Sequence, residues 1–212
     1  MIHEILPVGW LQCNCSVLGD ETTHEAIVVD PGDEIEKILA ILEKHQLRLQ
    51  YVVITHAHID HIGGAKKLKE LTGAPVYMNE QDLILYQHLE AQALMIGVPP
   101  PEKTAIDMAV RDGDTLRFGG IQTTVLHTPG HTQGSVCLLL PDGAPGKLLA
   151  GDTLFRDSIG RTDLPGGNTA QILGSLKEKV LALPDDLVVV PGHGPLTTIG
   201  REREWNPFLR GL

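Results

Sequence analysis

Between Thr55 and His61 the chain reads Thr-His-Ala-His-Ile-Asp-His, placing four imidazole or carboxylate donors, His56, His58, Asp60 and His61, within six residues. Donors of this kind bind divalent metals. His56 and His58 stand two apart and face the same way in extended backbone. Asp60 and His61 follow once the chain has turned, so they address a second position. Gly63 and Gly64 then permit close backbone approach where the loop becomes a helix. Three further donors share one local setting, each just beyond an apolar segment. His131 follows residues 121–126, Asp152 follows 148–150 and His193 follows 188–190. Strand ends along one sheet edge are where α/β proteins assemble sites from distant parts of the sequence.

Seven donors exceed what one tetrahedral ion can use. They suit two ions sharing a water, with Asp152 as the bridge. The division then puts His56, His58 and His131 on one ion and Asp60, His61 and His193 on the other. All are nitrogen or oxygen donors, which admit zinc, iron or manganese without choosing among them; two divalent ions are expected, zinc first. No cysteine stands at a comparable strand end, which argues against a thiolate-rich structural zinc site.

The elements that must position these donors follow from the apolar pattern. Residues 15–18 and 26–29 are apolar runs joined by a turn, and Asp33 is placed to cap a helix from Glu34 with its buried face at Ile35, Ile38, Leu39 and Leu42. A buried strand over 51–54, a helix to about Leu71 and a short strand over 75–78 follow. A helix over roughly 80–95 stops before Pro99-Pro100-Pro101. Strands are expected over 115–118, 121–126, 135–140, 147–150 and 187–190, with a helix over about 169–181. Strands and helices thus come twice in the same order, in halves of about 1–110 and 111–212. Two sheets face to face with helices outside each would bury both sets of strands, giving a four-layer α/β sandwich in a single domain spanning 1–212.

Composition narrows the partners. Lys+Arg 17 against Asp+Glu 27 gives a net charge of −10, with no basic cluster, which speaks against nucleic acid and against an anionic membrane surface. No apolar run is long enough to span a bilayer, and the first twenty residues lack a basic start followed by an apolar stretch. A cytoplasmic location is therefore expected. The cysteines, Cys13, Cys15 and Cys137, are odd in number and form no disulfide framework; Cys13 and Cys15 share one strand face and are expected in the core. Among the remaining histidines, His3, His24, His45 and His88 are expected at the surface and His127 in a structural role. Asp30 either accepts a hydrogen bond from a ligand imidazole or caps a turn. Arg161 and Asp163 are expected to form a buried ion pair that shapes the loop after Asp152.

The motif from Thr55 to His61, His131 in its Thr-Pro-Gly-His setting, Asp152 and His193 together resemble the metallo-β-lactamase fold superfamily. The segments Gly151-Asp152-Thr153-Leu154-Phe155, Gly160-Arg161-Thr162-Asp163, Pro191-Gly192-His193-Gly194-Pro195 and Asn206-Pro207-Phe208 are similar to its compact bacterial glyoxalase II-like (hydroxyacylglutathione hydrolase-like) members. The resemblance covers essentially the whole chain. It implies an αββα sandwich, the ligand division above, and a thioesterase acting on S-D-lactoylglutathione or a related glutathione conjugate. In such a site a hydroxide bridging the two ions is the nucleophile, Asp152 carries the bridge and Asp60 orients the hydroxide. Longer glyoxalase II enzymes add a C-terminal helical region that grips glutathione; here only Arg201, Arg203 and Arg210 supply arginine after His193, and no separate substrate domain is expected. Two alternatives share the fold: a mononuclear iron persulfide dioxygenase using His56, His131 and Asp152, and another ester or lactone hydrolase. A β-lactamase proper commonly places Cys where Asp152 stands.

Overall fold

The computed structural model describes residues 1–140 and 146–212. An antiparallel meander opens the chain: β1 (Ile2–Val8), β2 (Cys13–Gly19) and β3 (Glu25–Val29). Helix α1 (Ile35–Lys44) crosses to β4 (Arg48–Ile54), which lies parallel to β3. Helices α2 (Ile59–Ile62) and α3 (Ala65–Thr72) lead to β5 (Val76–Met78). Helices α4 (Leu83–Gln87) and α5 (Leu89–Ile96) lead to β6 (Met108–Ala109), completing a six-stranded sheet in the order β1-β2-β3-β4-β5-β6.

The second sheet begins with another meander, β7 (Thr115–Phe118), β8 (Ile121–His127), β9 (Val136–Leu140) and β10 (Lys147–Gly151). A separate small hairpin, β11 (Leu154–Phe155) and β12 (Ser158–Ile159), follows. Helix α6 (Thr169–Ser175), prolonged by a π-helical turn over Leu176–Val180, crosses to β13 (Val188–Pro191), parallel to β10. β14 (Thr197–Thr198) and α7 (Ile199–Trp205) finish the fold, and the sheet order is β14-β13-β10-β9-β8-β7.

Side-chain alternation turns these sheets into four layers, because successive residues of a strand point to opposite faces. In β3 and β4, Val28, Val52 and Ile54 pack against Ile35 and Ile38 of α1 and Leu68 of α3. Their neighbours Ile27, Val29, Tyr51 and Val53 face Phe118, Val125, Leu138 and Leu149 of the other sheet. On the far side of that sheet, Cys137, Leu148, Ala150 and Val189 meet Ile172, Leu176 and Ile199. The central strands are apolar on both faces, as burial on both faces demands.

Three expectations change. Asp33 does not cap α1: its Oδ1 accepts from the N–H of Glu34 at 2.6 Å, while Glu34 itself takes the position before the helix in left-handed backbone, φ 53°. The helix over 80–95 is three pieces, a 3₁₀ turn over Glu80–Asp82, then α4 and α5. Asn79 turns its side chain back to accept from the N–H of Gln81, and His88 adopts a non-helical ψ of 22° between α4 and α5. Strand β1 was not anticipated, since an edge strand that is mostly half-buried and contains Pro7 shows no clean alternation.

Candidate metal centre

Every predicted donor emerges at one edge of the sandwich. Thr55 to His58 leave the end of β4, and α2 carries Asp60 and His61. His131 lies in the connection from β8 to β9, Asp152 directly after β10, and His193 two residues after β13. Backbone bonds stitch the two sheets together here: Val136 N–H donates to Thr55 O at 2.9 Å and Asn14 N–H to Gly192 O at 2.7 Å. Gly192 allows a close approach, for a Cβ there would lie 2.2 Å from Asp152 Oδ1 and 2.8 Å from His61 Cε1.

The structure brings all seven residues together, in overlapping groups whose ligand atoms lie within 4.8 Å of one another: His56, His58 and His131; His56, His61 and Asp152; and Asp60, His61 and His193. Asp152 stands between them. Its Oδ2 is 3.5 Å from His131 Nε2 and 4.0 Å from His56 Nε2. Its Oδ1 is 3.4 Å from His61 Nε2 and 3.8 Å from His193 Nε2. Asp60 Oδ2 sits 3.0 Å from His193 Nε2 and 3.6 Å from His61 Nε2.

Outer hydrogen bonds set the imidazole tautomers. Thr55 Oγ1 donates to Asp30 Oδ2 at 2.7 Å and so accepts from His56 Nδ1 at 3.0 Å. His61 Nδ1 donates to the same Asp30 oxygen at 2.8 Å, His131 Nδ1 to Arg161 O at 2.8 Å and His193 Nδ1 to Leu11 O at 3.0 Å. Each leaves an Nε2 lone pair facing inward, the arrangement a metal requires. His58 instead directs Nδ1 at His131 Nε2, 2.9 Å away. His56 Nε2 and Asp152 Oδ1 are buried without a hydrogen-bond partner, a costly state for polar atoms that cations bound at the site would relieve. The donor set therefore fits divalent metal.

Charge follows the same lines. Burial first, then the neighbouring imidazoles, hold His56 far below the ordinary histidine value and bring His58 to about 3, so both imidazoles are neutral, the form that can bind a metal. For Asp152, burial opposes the charged form, but His61, His131 and His193 outweigh it and keep the carboxylate ionised. Burial likewise works against a charge on His61, yet Cys13, Asp152, Asp30 and Asp60 crowd it and the balance raises its pKa.

Other residues depart from expectation. Arg161 and Asp163 do pair, at 2.7 Å, but their side chains are 61% and 66% exposed; two residues on an outer loop lack cover, and the backbone carbonyl of Arg161 is the group that reaches the site. His3, itself in β1, is half-buried between Ser16 and Lys147, and His45 is half-buried against Glu4 of the same strand at 2.7 Å. His24 and His88 are exposed. Asp30 takes the hydrogen-bonding role of its two readings. His127 points its Nε2 to Gln133 O at 2.8 Å, outside the donor groups. Cys13 and Cys15 are both buried in the core as expected, and Cys13 also borders the site, its Sγ 3.5 Å from His61 Nδ1, with burial pushing this thiol up to about 12.

Two positions were missed. Buried Asp82 accepts from Ala57 N–H and from the loop after His131, and Gln92 Oε1 accepts from Ile59 N–H at 2.9 Å while its Nε2 donates to Ala57 O at 3.1 Å. In sequence each is one polar residue within an apparent helix, and no local signal marks it. A cavity of about 370 Å³ opens beside Asp60, walled by Trp10, Leu11, Ile59, Ile96 and Val98, with Lys67 among its polar groups. Among the described residues no helix is long and apolar enough to cross a membrane.

A protein of Haemophilus influenzae named hydroxyacylglutathione hydrolase GloC is 38% identical, the match covering 97% of each chain. Among solved structures, BLEG-1 B3 metallo-beta-lactamase is 37% identical with a TM-score of 0.91, covering 99% of this chain and all of that one. TTHA1623 in a di-iron-bound form is 39% identical, TM-score 0.85, covering 97% and 100% of the two chains. ETHE1 from Myxococcus xanthus is 31% identical, TM-score 0.82, covering 98% and 84%. The profile of the metallo-beta-lactamase superfamily matches residues 8–193, and the chain belongs to that superfamily as a metallo-hydrolase.

Proposed function

We propose that the protein is a metal-dependent thioesterase that cleaves acyl-glutathione thioesters, S-D-lactoylglutathione first among them. The observation that carries this reading is the Asp152 carboxylate, one oxygen of which lies nearest His131 and the other nearest His61. In this reading His56, His58 and His131 hold one ion, Asp60, His61 and His193 the other, and Asp152 both. Held there, such ions would supply Lewis acidity, lowering the pKa of a water from 15.7 toward about 7 and polarising a carbonyl oxygen. Asp60 accepts a hydrogen bond from the attacking water and fixes its direction. The leaving thiolate needs little protonation, so the absence of a dedicated general acid among these donors is no obstacle. The apolar wall of Trp10, Leu11 and Ile59 beside Asp60 gives the uncharged part of a substrate a surface to rest on.

The name of the Haemophilus relative supports glutathione thioesters as the substrate class. Zinc suits the donors, and the di-iron-bound relative keeps iron as the second choice. A cytoplasmic site of action agrees with three free, buried thiols. A single iron on His56, His131 and Asp152, as in a persulfide dioxygenase, would leave Asp60, His61 and His193 without a task. The test is loss of thioester absorbance from S-lactoylglutathione with metal-replete protein. Rapid turnover that a chelator abolishes is expected. No turnover with metals bound, together with oxygen uptake on glutathione persulfide, would replace this reading by the dioxygenase.

A further inference from the structure

The donor group His56, His58 and His131 is assembled from two loops that belong to different sheets, one after β4 and one between β8 and β9. Ligand atoms must be held to within about 0.5 Å for a site to work, so the spacing between these loops matters. A carboxylate outside the donor set spans it. Asp82, 1% exposed, ends the 3₁₀ turn after β5 and reaches between the loops. Its Oδ2 accepts from the N–H of Ala57, which stands between His56 and His58, at 2.9 Å. The same oxygen accepts from Thr132 Oγ1, next to His131, at 2.8 Å, and Oδ1 accepts from Gly134 N–H at 2.6 Å. The loop is shaped to the carboxylate: a Cβ on Gly134 would lie 2.7 Å from Asp82 Cγ. The other donors have different supports, Asp30 for His61 and Leu11 O for His193.

We propose that Asp82 is a positioning residue that sets the distance between the His56–His58 loop and the His131 loop, and so controls the affinity of the ion held there without touching it. The proposal rests on the two-ion reading above. Loss of a group that orients ligands from outside costs about 10–100-fold in metal affinity. Asp82→Asn keeps the shape but turns an NH2 toward at least one of the three donors. Zinc binding is measured by competition with a chromophoric chelator for the wild type, Asp82→Asn and Glu202→Gln. Glu202, fully buried and bonded to Thr197 and Asn206, serves as a control for general loss of packing.

The expected result is two ions in the wild type, one of them bound about 10–100-fold more weakly in Asp82→Asn, and no change in either affinity in Glu202→Gln. Thr132→Val, which removes a single donor, is expected to weaken the same ion by less and supplies the reading if Asp82→Asn does not fold. Equal weakening of both ions, or none, overturns the proposal. A wild type that binds one ion instead sinks the two-ion reading, and Asp82 is then judged on that ion: unchanged affinity in Asp82→Asn overturns its positioning role.

Discussion

His56 and His131 are 1% and 2% exposed and lean on Thr55 Oγ1 and the Arg161 carbonyl, while His193 has a side chain 27% exposed. The outward Nδ1 of His193 is held by Leu11 O, in a hairpin turn whose neighbour Trp10 is 74% exposed. The two donor groups share Asp152 but differ in what surrounds them. The first is clamped from within, by Asp82 and by the backbone bond from Val136 to Thr55. The second keeps His61 fully buried but reaches the rim through His193 and borders the open cavity through Asp60. A site can thus pair a rigid interior half with an outer half near the substrate entrance. The ion at the rim is accordingly expected to be the one lost first on dialysis against a chelator.

The strongest way to break this comparison is at the shared residue. Asp152→Ala is expected to remove both ions and lower kcat/KM more than about 100-fold, read by metal analysis and thioester assay; a variant that keeps both ions would show that the halves are independent. Next come the two halves separately. His193→Ala is expected to release the rim ion and keep the interior one, and His131→Ala the reverse, as read from ions bound per chain. A subtler change tests the hairpin: Gly9 adopts φ +67°, and a Cβ there would meet Asp33 Cβ at 3.2 Å. Gly9→Ala is expected to cost about 1 kcal/mol and, by moving Leu11, to weaken the rim ion about fivefold with the interior ion unchanged. Least of all, His127→Ala removes one hydrogen bond to Gln133 O outside both halves. It is expected to leave both ions in place and lower stability by about 1 kcal/mol in a denaturant titration, and loss of an ion would make it a ligand.

The difference between the halves also marks what a sequence makes legible. His56 to His61 announce themselves because four donors crowd one strand end, and His131, Asp152 and His193 because each ends its own apolar strand. The four layers follow from strands apolar on both faces. The supports do not announce themselves. Asp82 meets partners 25 and 50 residues away, and in the chain it is an ordinary acid at the start of a helical segment. Cys13 reads as core and is buried there, but its contact with His61, beside the bridge from β2 to His193, has no mark in the chain. Arg161 and Asp163 suggest a buried pair, yet burial depends on what covers a loop, which two residues cannot encode.

The most direct measurement is a titration of metal-free protein with zinc, following bound ions and S-lactoylglutathione hydrolysis in the same samples. Two ions per chain are expected, with hydrolysis rising as the second binds. Full hydrolysis with one ion, or hydrolysis that persists without metal, would contradict a nucleophile generated between the two halves.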